Sequence, residues 1–83
     1  MDPQKNDLTE QEELKILGEI LEAYVDTPIK KDAFLIGDLG LDSFLIVYFI
    51  SEVDDRFGVT IEMPEHVEYM TVQDVLDQLN QKN

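Results

Sequence analysis

Cysteine is absent from this 83-residue chain. No disulfide framework or thiolate metal site can form, and any thiol in its chemistry has to come from a cofactor. Histidine occurs once, as His66 in a polar stretch, which points to a surface or cap position rather than to acid–base catalysis. Basic residues are scarce: six stand against nineteen acidic ones, for a formal net charge of −13. That balance disfavours nucleic acid and anionic membrane surfaces as partners and favours basic protein surfaces. Long apolar runs are missing as well. None approaches the roughly 20 residues needed to span a bilayer. The start, Met1-Asp2-Pro3-Gln4-Lys5-Asn6-Asp7, is polar and lacks the apolar segment of a secretory signal, so a cytoplasmic protein is expected.

Catalytic and metal signatures are equally thin. No Asp-x-Asp-x-Asp-Gly loop followed by a glutamate is present, so no calcium site, and no metal site of the chain's own, is expected. Ser43 is followed by Phe44-Leu45, which excludes the Gly-x-Ser-x-Gly elbow of serine hydrolases. With one imidazole, no thiol and little room for a deep pocket, the chain does not read as an enzyme. A chain of this length makes one small domain, here residues 1–83, that buries about 60–65% of its unfolded surface, so its helices have to pack well.

Helical periodicity supplies that packing. Thr9 with Glu12 three residues later has capping-box spacing and opens a first helix from about residue 10 to residue 24 or 25, after a flexible tail over residues 1–7. Leu14, Leu17, Leu21 and Tyr24, flanked by Ile20 and Val25, form its apolar face; Glu12, Lys15, Glu19 and Glu22 fall opposite. Gly18 inside this helix costs about 1 kcal/mol relative to alanine, which points to close approach of a neighbour. A second helix is predicted from Ser43 to about Phe57, ended by Gly58, with Ile46, Phe49, Ile50, Val53 and Phe57 as its core stripe. Val59-Thr60-Ile61 is too short and isolated for a sheet and reads as a connector. Met63-Pro64 announces a short third helix over residues 65–70. Thr71 with Asp74 caps a last helix that packs through Val72, Val75, Leu76 and Leu79 and frays at residues 81–83. The expected fold is therefore all-α: a small four-helix bundle of three longer helices and a short third one, with a long first loop.

That loop, residues 26–42, is unusually long for a connection without function, and Pro28, Gly37 and Gly40 break its periodicity. Phe34, Leu35, Ile36 and Leu39 are expected to fold it down over the helices, which would fix the residue that follows it. At its end Asp38-Leu39-Gly40-Leu41-Asp42-Ser43-Phe44 passes from irregular chain into an apolar helix. A serine at a helix start has extended backbone angles and faces the orphan amides of the first turn, so Ser43 is expected at the cap position, reachable from solvent. The second helix also carries more apolar surface than one face uses. Phe44, Val47 and Tyr48 lie beside Ser51 and Asp55, on the rim that holds Ser43, and such a patch on a small protein marks an interaction surface. Phe44 and Leu45 could alternatively tuck under the long loop.

The run Gly40-Leu41-Asp42-Ser43-Phe44 resembles the modification site of acyl carrier proteins, and the resemblance extends through Asp38-Leu39, the apolar helix, Phe57-Gly58-Val59 and Thr71-Val72-Gln73. It implies that Ser43 receives a 4′-phosphopantetheine arm from coenzyme A and that Asp42 assists the phosphopantetheinyl transferase, through magnesium. It also implies that the second helix is the main recognition element. In the family this helix often bears acidic residues early; here Glu52, Asp54 and Asp55 come late, so docking is expected to lean on apolar contact through Phe44, Val47 and Tyr48, with Ser51 and Asp55 beside them. Family members shelter the acyl chain in a slot, for which Ile46, Ile50, Ile61, Met63, Val67 and Tyr69 are the candidates; Met and aromatic residues at such spacing also serve simply as core. The implied protein is a discrete, monomeric acyl carrier. It would hold acyl intermediates as thioesters and present them to enzymes of fatty acid, lipid or polyketide type that have basic or apolar docking surfaces. Phe44, where leucine is usual, also occurs in the D-alanyl carrier branch, so an aminoacyl carrier is the alternative. An unmodified acidic adaptor that uses the second helix alone is the other.

Overall fold

A computed structural model describes residues 9–80; the expected tail over residues 1–7 and the fraying end over 81–83 lie outside them. Three α-helices account for the regular structure: α1 (Glu10–Leu21), α2 (Ser43–Phe57) and α3 (Val72–Leu79). The expected short third helix is a single 3₁₀ turn, Val67–Tyr69. Its amides bond only three residues back, Tyr69 N–H to the His66 carbonyl and Met70 N–H to that of Val67, and no side chain caps its start. A turn of this kind does not propagate without a cap and a packed face. The arrangement is all-α, and the only strand-like pairing among the described residues is an isolated antiparallel bridge between Phe34 and Thr71.

Both predicted capping boxes are present. Thr9 and Glu12 bond each other's backbone amides at 3.1 and 2.9 Å, and Thr71 and Asp74 do the same ahead of α3. Helix α1 stops at Leu21, three or four residues sooner than its periodicity predicts. Glu19 and Glu22 crowd its C-terminal turn with no basic residue there, against the macrodipole. The amides of Tyr24 and Val25 both turn back to the Leu21 carbonyl at 2.9 Å. Tyr24, predicted on the packed face, is consequently exposed. Helix α2 ends as expected, with Gly58 in the left-handed region at φ 70° and its amide on the Asp54 carbonyl.

The core lies where the three helices meet. Leu17 and Leu21 of α1, Ile46, Phe49 and Val53 of α2, and Val72, Val75, Leu76 and Leu79 of α3 are buried together. Leu14, Ile50 and Phe57 pack on the edge of this cluster. The space beside Gly18 is taken by Ile29, whose Cγ1 would sit 3.7 Å from an added Cβ, an ordinary contact. Close approach therefore does not require glycine at position 18.

Polar contacts join α1 to α3. The Lys31 ammonium lies 2.9 Å from Glu10 and, with the Gln73 amide, holds the Glu10 carboxyl below its ordinary range. Glu13, only 5% exposed, accepts a hydrogen bond from the Asn80 amide at 2.9 Å. Burial pushes its carboxyl above the ordinary range, and the Asn80 bond offsets this in part.

Candidate functional site

The loop before α2 is a fixed base. Ala33, Leu35, Leu39 and Leu41 are buried in the core, and Ile36 packs against it. Phe34, expected to fold inward with them, is exposed instead, because its backbone is taken up on the outer side of the loop. Its amide donates to Asp38 Oδ2 at 2.8 Å, and its carbonyl accepts from the amides of Asp38 and Leu39. Further turns join Gly40 N–H to the Ile36 carbonyl and Leu41 N–H to that of Leu35. Gly40 adopts φ 73°, a left-handed conformation that glycine takes without the cost of a Cβ. The loop is also tied to the start of α3: Leu35 N–H bonds the Met70 carbonyl, Val72 N–H that of Ala33, and Gln73 N–H that of Lys31, at 2.8–3.0 Å. The path into Ser43 is thus set by backbone hydrogen bonds and by buried leucines on either side of them.

At the end of that path the cap differs from the sequence expectation. Asp42, extended at φ −100° and ψ −177°, is the N-cap of α2, and its Oδ1 accepts the Leu45 amide at 2.9 Å. Ser43 is the first helical residue. The aspartate takes the cap, and Ser43 is left out of it, exposed at the tip of the helix. The helix N-terminus presents backbone amides and positive potential beside Ser43, and the acidic group at that tip is the capping Asp42 carboxylate, the first turn itself holding none.

The remaining predicted residues separate into distinct environments. Phe44 is 73% exposed and Val47 59% exposed, so Phe44 does not tuck under the loop, whereas Leu45 is half-buried against the core. Ser51 and Asp55 are exposed further along α2, on the same side. Tyr48 is half-buried and meets Tyr24 edge-to-face, with ring centroids 5.3 Å apart. Of the slot candidates, Ile46 and Ile61 are buried in the core, Ile50 and Val67 lie on its margin, and Met63 and Tyr69 are exposed. They do not share one environment, because the 3₁₀ turn, lacking a full helical face, leaves Tyr69 outward. His66 is exposed, with Nδ1 3.5 Å from Glu68. Among the described residues no group of three metal-ligating side chains comes together, and no helix is long and apolar enough to cross a membrane.

Two residues that shape this region escape sequence reasoning. Asp38 locks the loop through the Phe34 amide, a role signalled only weakly by an aspartate four residues on in a turn-rich stretch. Tyr24 joins the surface of α2, and the acidic end of α1 was the available signal that it would leave the helix. The family model of the phosphopantetheine attachment site matches residues 14–79, a span that includes the Asp42-Ser43 junction. No solved structure matches the chain.

Proposed function

The chain belongs to the phosphopantetheine attachment site family, and from that premise we propose that Ser43 is the residue that receives the arm. Membership makes the chain a carrier rather than a catalyst, one that works with a phosphopantetheinyl transferase and with partner enzymes. When bound, the 4′-phosphopantetheine supplies a terminal thiol that holds an acyl group as a thioester. The observation behind Ser43 is the division of labour at the tip of α2: Asp42 caps the helix, so the neighbouring hydroxyl is exposed and uncommitted. Asp42 then has two uses, holding the first turn in shape and offering its carboxylate to the transferase and its magnesium. The buried Leu39 and Leu41 keep Ser43 from retreating when an enzyme engages it.

The cargo we propose is an acyl intermediate of fatty acid, lipid or polyketide type, bordered by Ile50 and Val67 at the margin of the core. Burial of Ile46 and Ile61 favours a short group over a long one, which keeps an aminoacyl cargo such as D-alanine as the second reading. Intact mass before and after incubation with coenzyme A and a broad-specificity phosphopantetheinyl transferase tests the attachment. One arm is expected on the parent protein and none on Ser43→Ala; an arm retained by Ser43→Ala refutes the assignment. Loading by an acyltransferase, against loading by an amino-acid adenylating enzyme, separates the two cargo classes.

A further inference from the structure

Resting on the carrier reading above, we infer that the unloaded phosphopantetheine arm lies back from Ser43 into a cleft of the long loop before α2, between residues 27–33 and the pair Asp38-Leu39. The cleft holds about 490 Å³, within the range of about 300–1,000 Å³ that small-molecule pockets occupy. Pro28, Ala33 and Leu39 line it with apolar surface. Thr27, Lys30 and Asp38 add a hydroxyl, an ammonium and a carboxylate, and Asp32 adds a second carboxylate. Its walls are fixed before anything enters. Ala33 N–H bonds the Lys30 carbonyl at 3.1 Å, Val72 N–H bonds that of Ala33 at 2.9 Å, and Leu39 N–H bonds that of Phe34 at 3.1 Å. Only the arm has to be ordered on entry.

Reach and chemistry both suit the arm. Leu39 stands only a few positions before Ser43, so their Cα atoms lie no more than about 14 Å apart even along fully extended chain, and the turn at Gly40 shortens that span. From phosphorus to sulfur the arm runs through about thirteen bonds, comparable to roughly four residues of extended chain, or about 15 Å. Two methyl groups, a hydroxyl and two amides are spread along it. The methyl groups match Pro28, Ala33 and Leu39; the amide N–H groups and the hydroxyl can donate to the carboxylates, and the amide carbonyls can accept from Thr27 and Lys30. Asp38 commits Oδ2 to the Phe34 amide, yet a carboxylate has lone pairs left for a second donor. The core margin at Ile50 and Val67 is aliphatic. An arm ending in a bare thiol has no acyl chain to bury there, and its amides are costly to bury unbonded. Loading with an acyl group therefore draws the arm from the cleft toward that margin.

Amide and methyl NMR spectra of the isotope-labelled protein, before and after the arm is attached with coenzyme A and a phosphopantetheinyl transferase, test the inference. Attachment is expected to shift the amides of Lys30, Ala33 and Leu39 as well as those flanking Ser43. Nuclear Overhauser contacts are expected from the methyl groups of the arm to the methyl groups of Ala33 and Leu39. Thr27→Phe, which fills the cleft from its exposed rim, is expected to abolish those contacts, with its melting temperature as the check that it folds. Shifts confined to the neighbours of Ser43 overturn the inference. So do contacts of the unloaded arm with Ile50 and Val67 in place of the cleft, and contacts with Ala33 and Leu39 that persist in a folded Thr27→Phe. Failure of the unsubstituted protein to gain any arm is a different result: it removes the carrier reading first, and the cleft assignment with it.

Discussion

The two long connections of this molecule are held in opposite ways. The one before α2 buries four apolar side chains, Ala33, Leu35, Leu39 and Leu41, and ties its backbone to itself and to the start of α3. The one after α2 buries only Ile61 and Met70. It is pinned at Met70, whose carbonyl accepts from the Leu35 amide, and at residue 62 by a side chain: the Gln78 amide accepts from the Glu62 amide at 2.8 Å and donates to the Glu62 carbonyl at 2.9 Å, much as a neighbouring strand would. A further bond runs from the Thr60 hydroxyl to Asp54. Rigidity is concentrated where the chain delivers Ser43, and the later connection is fastened only at points. A group handed between enzymes needs a fixed attachment point, and only the first connection has one beneath it.

Substitutions can break or sharpen this contrast. Leu35→Ala removes a fully buried anchor of the first connection and is expected to cost about 2–5 kcal/mol in chemical denaturation. In conditions where the variant is still folded, arm attachment should slow as well. Gln78→Ala, the corresponding change in the second connection, is expected to cost about 1 kcal/mol, since two exposed hydrogen bonds are exchanged for water. Hydrogen exchange at the Glu62 amide should accelerate while arm attachment is unchanged; slowed attachment would mean that both connections hold the site. Gly18→Ala probes the foot of the first connection through Ile29. With a Cβ placed at an ordinary 3.7 Å, it should gain a little under 1 kcal/mol, read as a higher denaturation midpoint.

The smallest effect belongs to neither connection and so serves as a control. Burial raises the Glu13 carboxyl in the folded state. Over the interval above its ordinary range the folded protein then binds more protons than the unfolded chain, and stability falls as pH rises through it. Glu13→Gln removes that loss and keeps an acceptor for Asn80. The variant should match the parent in acid and exceed it in stability at neutral pH. Equal melting temperatures at both pH values would show that Glu13 is better solvated than its position implies.

What was legible in the sequence is local. Thr9 with Glu12, Thr71 with Asp74, and Gly58 after an apolar stripe each act within one helical turn, and each is found as predicted. The exposed Ser43 and the helix that begins there were equally legible, but which residue caps that helix was not. Choosing between Asp42 and Ser43 as cap depends on a competition between two good acceptors, which residue type alone does not decide. The early stop of α1 and the collapse of residues 65–70 into one 3₁₀ turn were missed because periodicity counts apolar positions and not what they pack against. Tyr24 has Tyr48 as its partner, and Tyr69 has no core neighbour to turn it inward. The ties from residues 31–35 to residues 70–73 lie some forty residues apart in sequence, beyond the reach of any local signal.

Helix α1 depends on the far end of the chain. Glu10 and Glu13 meet Gln73 and Asn80 across sequence separations of 63 and 67 residues, and α3 supplies Val72, Val75, Leu76 and Leu79 to the core. On a ribosome, which releases the chain from its beginning, α1 and the loop lack these partners until residues 70–80 have been made. Contacts of such long range form late, and Ser43 therefore gains its rigid seat only after almost all of these residues have been made. With Ser43 as the proposed attachment residue, a transferase that requires the seated form would act only after those contacts have formed.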